Sequence, residues 1–347
     1  MKKFSLICLA MIMVVSLAIS GCAPKEAPAP APGAPEQQAQ PIKIVAAHNQ
    51  TAPGNMYIVG MDALKETVES KSNGSITVET HAGTLGTNEN ELVEKLKLGA
   101  ADLVVVSPGF MTQTGIKEVD LLALPYLFEN YEHWEKVVDG EVGERLAQLI
   151  NEKSNNEFKV VGYWSAGVRN YYGKKPLNSM ADLKAMKIRT QTSGVVAEFW
   201  TKIGAIPTNV AWGELYQALQ QKTVDGAENS YGPLVQQSHH KTDNGKFITE
   251  TEHDWTTRLV LMNGKKFDAM TKEQQDIILE GVRASIEAER NAVIEQDAEY
   301  KEVAIQDGAV VNEIDRQPFI DAALPIQDKA AQDMGATDLL EKIRALK

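Results

Sequence analysis

From residue 42 onward, short runs rich in β-branched residues alternate with longer segments of helical periodicity. The alternation predicts a strand at 42–47, a helix at 55–70, a strand at 76–80, a helix at 89–98 and a buried strand at 103–106. A βαβαβ opening of this kind is typical of a sheet covered by helices. The sequence therefore predicts an α/β fold, in which ligands bind at the carboxyl ends of the strands.

The same alternation continues in the second half of the chain. It predicts strands at 159–164, 185–189 and around 224–227, and helices at 194–203 and 214–221. One long amphipathic helix is predicted over 271–306, where Thr271 and Gln274 have the spacing of a capping box. A helix about twice as long as one domain needs is long enough to run behind two lobes and join them.

The first 22 residues have the pattern of an export signal. Two lysines precede an apolar stretch at 4–20, and small residues then lead to Cys22. Because lipoprotein processing requires a cysteine at this junction, we interpret 1–21 as a lipoprotein signal peptide and Cys22 as the lipidated N-terminus. The alternative is one N-terminal membrane helix of nearly minimal length. Residues 22–41 are rich in proline and alanine, which predicts a tether holding an extracytoplasmic domain at a membrane.

Charge and cysteine content exclude several classes of protein. The formal net charge is −12 and no cluster of Lys or Arg is present, which argues against binding of nucleic acid or anionic lipid. Both cysteines precede residue 42, so the folded region has neither a disulfide nor thiol chemistry. We find no nucleophile motif, phosphate loop or metal-ligand spacing, and we therefore expect no enzyme activity, metal or cofactor.

Six segments, in register along the chain, carry a resemblance to a known family. They are 83–86 (GTLG), 123–128 (ALPYLF), 167–170 (GVRN), 186–189 (MKIR), 212–220 (WGELYQALQ) and 224–229 (VDGAEN). With them, residues 42–347 resemble the DctP-type solute-binding proteins of tripartite ATP-independent periplasmic (TRAP) transporters.

The resemblance implies a fold and a role. The fold would be two α/β lobes, joined by crossing strands and a long helix, that close over a ligand by a hinge motion. The first lobe would comprise 42–166 and 255–294, and the second 167–254 and 295–347. The role would be to capture a small organic acid and deliver it to the small and large membrane subunits of the transporter.

Arg189 is the first candidate for binding this acid. It ends the predicted strand and precedes a helix, so its guanidinium can project into a cleft at the strand's carboxyl end. A planar guanidinium with a fixed charge can make two parallel hydrogen bonds to a carboxylate, which a lysine cannot. In proteins that this chain resembles, this arginine holds the ligand carboxylate. The alternative is a solvated surface arginine.

Two further polar residues match family positions. The resemblance places Arg169 at the crossing between the lobes, with a second contact to the carboxylate or a neighbouring hydroxyl, whereas a structural ion pair at the hinge is the alternative. Asn229 matches an asparagine whose amide meets the same carboxylate. Its alternative role is to form a turn in a glycine-containing stretch.

Several other residues are candidates for the walls of the cleft. Trp212 and Tyr231 are aromatic side chains that could stack on a sugar or carbon chain or could equally belong to the core. His48 and Ser107 follow two strands of the first lobe and either contact the ligand or form caps and turns. Phe128, Trp134 and Trp200 are expected to be packing residues, and the adjacent His239 and His240 are expected to be exposed.

The identity of the acid is the least constrained inference. The two arginines and the asparagine imply at least one carboxylate, so sugar acids (uronates or aldonates) lead, followed by C4-dicarboxylates, with an aromatic acid also open. The family's keto-acid branch uses a Glu-Trp pair with a metal ion, but Glu228-Asn229 stands here, which disfavours both. A binding protein of an ATP-driven importer and a ligand-sensing module are the remaining alternatives.

Overall fold

The computed structural model describes residues 41–191 and 194–347. The predicted signal peptide, Cys22 and the tether before Pro41 lie outside the described residues. The strands that the model describes form one sheet: β1 (Ile42–His48), β2 (Ile76–Ala82), β3 (Leu103–Val106), β4 (Phe158–Gly173), β5 (Lys187–Thr190), β6 (Ile206–Asn209), β7 (Gly226–Asn229), β8 (Phe247–Asn263) and β9 (Val310–Glu313).

Helices surround this sheet. The α-helices of the described residues are α1 (Met56–Lys71), α2 (Glu89–Lys97), α3 (Tyr131–Val138), α4 (Glu141–Lys153), α5 (Val195–Lys202), α6 (Leu215–Gln220), α7 (Tyr231–Gln236), α8 (Gly264–Asp268), α9 (Lys272–Gln306), α10 (Gln317–Met334) and α11 (Thr337–Ala345). Short 3₁₀ helices lie at Pro108–Thr114, Glu118–Ala123, Met180–Leu183, Trp212–Glu214 and His239–Lys241.

Two long antiparallel strands, β4 and β8, run through both halves of the sheet. On one side the strand order is β2-β1-β3-β8-β4, and on the other it is β4-β7-β5-β6 with β9 beside β8. We call the region around β1, β2 and β3 the first lobe and the region around β5, β6, β7 and β9 the second lobe. The register of β4 against β8 shifts between Ser165 and Val168, where Gly167 has a φ of 77°. A bulge here bends the strand at the crossing between the lobes.

Each lobe packs apolar residues on both faces of its part of the sheet. Because successive side chains of a strand point to opposite faces, Val104 of β3 enters one core of the first lobe and Val105 the other. Tyr171 and Tyr172 of β4 separate in the same way between the two cores of the second lobe. Covering both faces explains why the buried strands read as continuous apolar runs.

The long helix α9 connects the lobes. It has 35 residues, which is about 50 Å at the usual rise per residue. Thr271 and Gln274 form the predicted capping box at its start. Val282 packs in a first-lobe core and Val303 packs against a second-lobe core, so the helix spans both lobes as the sequence predicts.

The C-terminal helices return to the first lobe. Phe319 of α10 lies in a second-lobe core, whereas Ala331 and the α11 residues Leu340 and Ile343 lie in a first-lobe core. The sequence assigns all of 295–347 to the second lobe, and the proposed division of the chain between the lobes stays a prediction. Within 41–191 and 194–347, none of the helices combines the length and apolar character that crossing a membrane requires.

Candidate functional site: the cleft between the lobes

A cavity of about 530 Å³ lies between the two lobes, and we call it the interlobe cleft. First-lobe residues 49, 88–90, 109, 110, 112 and 113 line it together with second-lobe residues 189, 191, 194 and 209–212. A smaller recess of about 40 Å³ is lined by Ser107, Arg169, Glu228, His253 and Arg258, among others. Gly109 and Gln191 line both spaces, so the recess adjoins the cleft.

Arg189 lies near the end of β5, buried in the second-lobe wall of the cleft. The residue is only 2% exposed. Its Nε donates to the Val210 carbonyl at 2.9 Å, and its guanidinium carbon lies 5.8 Å from the centre of the Trp212 ring. Its Nη1 has no hydrogen-bond partner among the described residues. A buried donor without a partner is unfavourable, and a ligand carboxylate would satisfy it.

The charge of Arg189 is also poorly compensated. Burial lowers the pKa of Arg189 to about 10, although the nearby charge of Glu228 opposes this decrease. The guanidinium is still a cation at neutral pH, but its burial costs free energy that a bound anion would relieve.

Arg169, by contrast, has partners for each of its guanidinium nitrogens. Nε donates to Glu228 Oε2, Nη1 donates to Asn229 Oδ1 at 3.1 Å, and Nη2 donates to Glu228 Oε1 at 2.8 Å and to the Glu228 carbonyl at 2.6 Å. Both side chains of the pair are buried. The structure therefore contains the hinge ion pair that the sequence left open as the alternative role of Arg169.

Glu228 is ionised within this pair. Burial alone would raise the pKa of the Glu228 carboxyl, but the charge of Arg169 and hydrogen bonds from His253 and Arg169 outweigh burial and lower the pKa to about 2. His253 Nε2 lies 3.3 Å from Glu228 Oε2. The pair is thus a charged, hydrogen-bonded unit inside the protein.

Asn229 belongs to the same network. Its Oδ1 accepts from Arg169 and, at 3.0 Å, from the backbone N–H of Ser230. The structure therefore places Asn229 beside Arg169, as the sequence predicts, but not among the residues that line the interlobe cleft or the recess.

Ser107 connects the two lobes through a side-chain hydrogen bond. Its hydroxyl accepts from Arg258 Nη1 at 2.6 Å and donates to Gln191 Oε1 of the second lobe at 3.1 Å. Its backbone N–H donates to the carboxylate of Glu89. The polar residue predicted at the end of β3, Ser107, therefore contacts two charged residues that the sequence analysis did not identify, Arg258 and Glu89.

Of these two residues, Arg258 has a weak signal in the sequence and Glu89 has none. Arg258 directly precedes the apolar run 259–262 near the end of β8, where a buried charge is unexpected. Its Nε donates to the hydroxyl of Tyr57. Glu89 is the first residue of α2, and an acidic residue there is ordinary because it complements the helix dipole. The structure shows instead that Glu89 is buried and lines the cleft.

The remaining candidates divide between the cleft and the core. Trp212 lines the cleft beside Arg189. Tyr231 lies in a second-lobe core and donates its hydroxyl to Glu250 Oε1 at 3.0 Å, away from both cavities. His48 packs edge-on against Tyr57, and burial lowers its pKa to about 4, so it is neutral. The structure does not bring Tyr231 or His48 to the lining of the cleft or recess.

The expectation that His239 and His240 are exposed was wrong. The segment is a single 3₁₀ turn buried in the second lobe rather than part of a surface helix. His239 Nδ1 lies 2.9 Å from the hydroxyl of Tyr172, and His240 Nε2 lies 2.9 Å from a carboxylate oxygen of Asp307. Each buried ring therefore has a polar partner on one nitrogen, whereas His240 Nδ1 has none among the described residues.

The packing residues fall where the sequence placed them. Phe128 and Trp134 lie in a first-lobe core and Trp200 in a second-lobe core. Across 41–191 and 194–347, we find no group of three or more His, Cys, Asp or Glu side chains that could hold a metal ion.

Comparison with known proteins gives the same architecture. A TRAP periplasmic solute-binding protein of Sulfitobacter sp. NAS-14.1, solved with bound β-D-galacturonate, superposes with a TM-score of 0.82 at 28% identity, over 87% of this chain and 99% of that one. The TRAP periplasmic solute-binding protein of Pseudomonas putida F1, solved with bound D-glucuronate, has a TM-score of 0.82 and 28% identity, over 88% and 97%.

A curated relative adds sequence similarity over most of the chain. The C4-dicarboxylate-binding periplasmic protein DctP of Rhodobacter capsulatus is 27% identical over 314 residues, which are 89% of this chain and 91% of the relative. These relatives are binding proteins rather than enzymes, and the two-lobed α/β fold predicted from the sequence is confirmed. Proteins of this kind take a small carboxylate outside the cytoplasm and serve TRAP membrane subunits.

The family itself is recognised over most of the folded region. The DctP family, described as "Bacterial extracellular solute-binding protein, family 7", matches residues 46–333. The chain therefore belongs to the DctP family and is an extracytoplasmic solute-binding protein of the TRAP type.

Proposed function

We propose that this protein captures a sugar acid, with a uronate as the leading candidate, and that Arg189 holds its carboxylate. The observation that carries the proposal is the guanidinium of Arg189, which is buried in the wall of a cleft of about 530 Å³ with Nη1 unpartnered among the described residues. A carboxylate would supply the missing acceptor and the missing negative charge through charge-assisted hydrogen bonds.

The surroundings of Arg189 favour a sugar acid over a simple acid. The Trp212 ring provides a flat apolar surface beside the anchor, and the amides of Asn49, Asn209 and Gln191 line the same cleft. Aromatic faces and amides suit a ring that carries hydroxyls. Two solved neighbours contain bound galacturonate and glucuronate, which supports the same class. C4-dicarboxylates are the second candidate, because a relative is named for binding them.

We assign supporting roles to the other predicted residues. Arg169 and Asn229 fix the crossing strands behind the cleft, and Ser107 joins the lobes through Gln191. His48 and Tyr231 support the two walls from within the cores. Closure would move the first lobe against the second by bending β4 at its bulge, and residues 331–347 would move with the first lobe, because they pack on its core.

We also propose that Cys22 is lipidated, so that the domain is tethered to the outer surface of a membrane. A replacement of Cys22 by Ala should move the protein from the detergent phase to the aqueous phase in a Triton X-114 partition and abolish the mass increase of a lipidated N-terminus. An unchanged partition would contradict the anchor without affecting the binding site.

The binding proposal is tested by thermal unfolding of the purified protein with uronates, aldonates, C4-dicarboxylates, keto acids and aromatic acids. A ligand that binds the native state raises the unfolding midpoint. We expect a uronate to raise it in the wild type, and we expect Arg189→Lys to abolish the increase. Arg145→Lys is the matched control, because Arg145 pairs with Glu152 at the surface with 43% of its side chain exposed.

Either unexpected result would be informative. If none of these acids changes the midpoint, the ligand class is wrong. If the increase survives in Arg189→Lys, the carboxylate is held elsewhere.

A further inference from the structure

The buried polar atoms of the interlobe cleft that lack a partner among the described residues differ between the two walls. On the second-lobe wall, Arg189 Nη1 is a donor without a partner among the described residues. On the first-lobe wall, Asn90 Oδ1 is a buried acceptor without a partner among those residues, and Glu89 adds a carboxylate beside it. The two walls therefore require opposite groups on a bound molecule, an acceptor facing Arg189 and donors facing Glu89 and Asn90.

Glu89 is held in a fixed position at the start of α2. It is 3% exposed. One carboxylate oxygen accepts from the backbone N–H of Ser107, and the other lies 3.4 Å from Asn49 Nδ2. An ionised carboxylate offers about four acceptor positions. Two of them orient the group, and the others are available to protons of a ligand.

The distribution of charge in the cleft restricts what this ligand can be. Among the described residues that line the cleft, Arg189 is the one cationic side chain and Glu89 the one acidic side chain. Thr192 and Ser193, which lie outside the described residues, are uncharged residue types and add no charge to this count. An acid anchored on Arg189 would present its far end to Glu89, and a second carboxylate there would meet a like charge in a largely desolvated site, which is strongly unfavourable.

We propose that Glu89 determines specificity by accepting hydrogen bonds from the hydroxyl end of a monocarboxylate sugar acid and by excluding acids that carry a second carboxylate at that end. This rests on the proposed function, since it takes Arg189 as the carboxylate anchor. It narrows that function to monocarboxylates and separates this protein from the relative that is named for binding C4-dicarboxylates.

Arg258, in the adjoining recess, is the residue best suited to bind a second carboxylate of a ligand and so to oppose the effect of Glu89. Its Nε donates to Tyr57 and its Nη1 to Ser107 at 2.6 Å, and the charges of Glu89 and Asp254 act on it. Because Arg258 is already bonded and flanked by carboxylates, we assign it to holding the first-lobe wall rather than to binding a second ligand carboxylate.

The test compares acids that differ at one end. D-Galactonate and galactarate share an open carbon chain and differ only in a terminal CH₂OH or COO⁻ group, and D-galacturonate and succinate complete the set. In calorimetric titrations of the wild-type protein, we expect galactarate and succinate to bind at least about 100-fold more weakly than the tighter of galactonate and galacturonate. Equal or tighter binding of galactarate would overturn the proposal and give Arg258 the second carboxylate.

The variant Glu89→Gln removes the charge while keeping the shape. It should strengthen galactarate binding by at least about tenfold and reduce the discrimination between galactarate and galactonate to below about tenfold. Glu94→Gln, on the exposed side of α2, is the matched control and should leave both affinities unchanged. Unchanged discrimination in a folded Glu89→Gln protein would overturn the proposal, and the wild-type comparison decides the question if that variant does not fold.

The same titrations separate this proposal from the proposed function. Tight binding of galactarate that is lost in Arg189→Lys would overturn the role of Glu89 and leave the carboxylate anchor in place. Failure of every acid to bind the wild type would overturn both.

Discussion

Two of the arginines that are buried where the lobes meet, Arg169 and Arg189, have opposite surroundings. Arg169, on the crossing strand β4, is surrounded by Glu228 and Asn229, which accept hydrogen bonds from all three of its guanidinium nitrogens. Arg189, near the end of β5, bonds the carbonyl of Val210 through Nε and leaves Nη1 without a partner among the described residues. The two side chains are similarly buried, so burial alone does not distinguish a structural arginine from a binding arginine.

The pKa values express the same contrast. Burial would lower the pKa of Arg169, but the charge and hydrogen bonds of Glu228 outweigh burial and raise it. For Arg189, burial dominates and lowers the pKa to about 10. Glu228 therefore supplies the counter-charge of Arg169, whereas a bound anion would complete the counter-charge of Arg189.

The largest expected effect comes from breaking the internal pair. Glu228→Gln would leave the charge of Arg169 buried and uncompensated, so we expect the free energy of unfolding to fall by about 3–5 kcal/mol without ligand. Urea denaturation of the two proteins measures this change.

Glu152→Gln is the control for this experiment. It breaks the exposed pair with Arg145, in which 59% of the Glu152 side chain is exposed, and should change stability by less than about 1 kcal/mol. Equal effects of the two substitutions would mean that the Arg169–Glu228 pair does not stabilise the crossing strands.

The Arg169–Glu228 pair should also make the stability of the protein depend on pH in the acid range. The folded-state pKa of Glu228 is lowered to about 2 from an ordinary value of 4.5, so its contribution to stability is present above pH 4.5 and is lost as the pH falls towards 2. The stability difference between the wild type and Glu228→Gln should therefore shrink by about 3 kcal/mol over this range. Denaturation at several pH values tests this, and a constant difference would contradict the ionised pair.

Replacing the unpaired arginine, Arg189, should have the opposite effect on stability. Arg189→Met removes a buried charge that forms no ion pair among the described residues and is only partly offset by the nearby charge of Glu228, so we expect the unliganded protein to be as stable as the wild type or more stable. Affinity for the acid should fall about 10–100-fold, the loss of charge-assisted hydrogen bonds worth about 1.5–3 kcal/mol. Urea denaturation measures the free energy of unfolding, and calorimetric titration measures the affinity. A large loss of stability would make Arg189 structural, like Arg169.

The contrast between the arginines also shows how far the sequence could predict this site. Arg189 lies in the wall of the cleft, and the sequence can predict this position because it depends on local features, a strand that ends where a helix follows. The role of Arg169 was left open because its partner, Glu228, is 59 residues away in the chain. Arg258 and Glu89 were missed for the same reason, since the contacts that bury them join distant segments.

The same difference between local and long-range signals explains which parts of the fold the sequence predicts. The sequence predicted the first-lobe strands and the full length of α9, because periodicity and capping are local signals. It predicted only 159–164 of β4, which continues to Gly173. The second half of that strand contains Gly167 and the buried polar residues Arg169 and Asn170, which interrupt the apolar pattern, and its extended form depends on pairing with β8.

The smallest expected effect concerns the ring beside the unpaired arginine. The guanidinium carbon of Arg189 lies 5.8 Å from the centre of the Trp212 ring, and the ring also lines the cleft. Trp212→Leu removes a cation–π contact and a stacking surface for the ligand, worth about 1 kcal/mol together, so affinity should fall about fivefold. Trp212→Phe keeps an aromatic face and should lose less. Calorimetric titration orders the three proteins, and equal losses in both variants would show that the indole contributes shape to the cleft wall rather than the electrostatics of its ring.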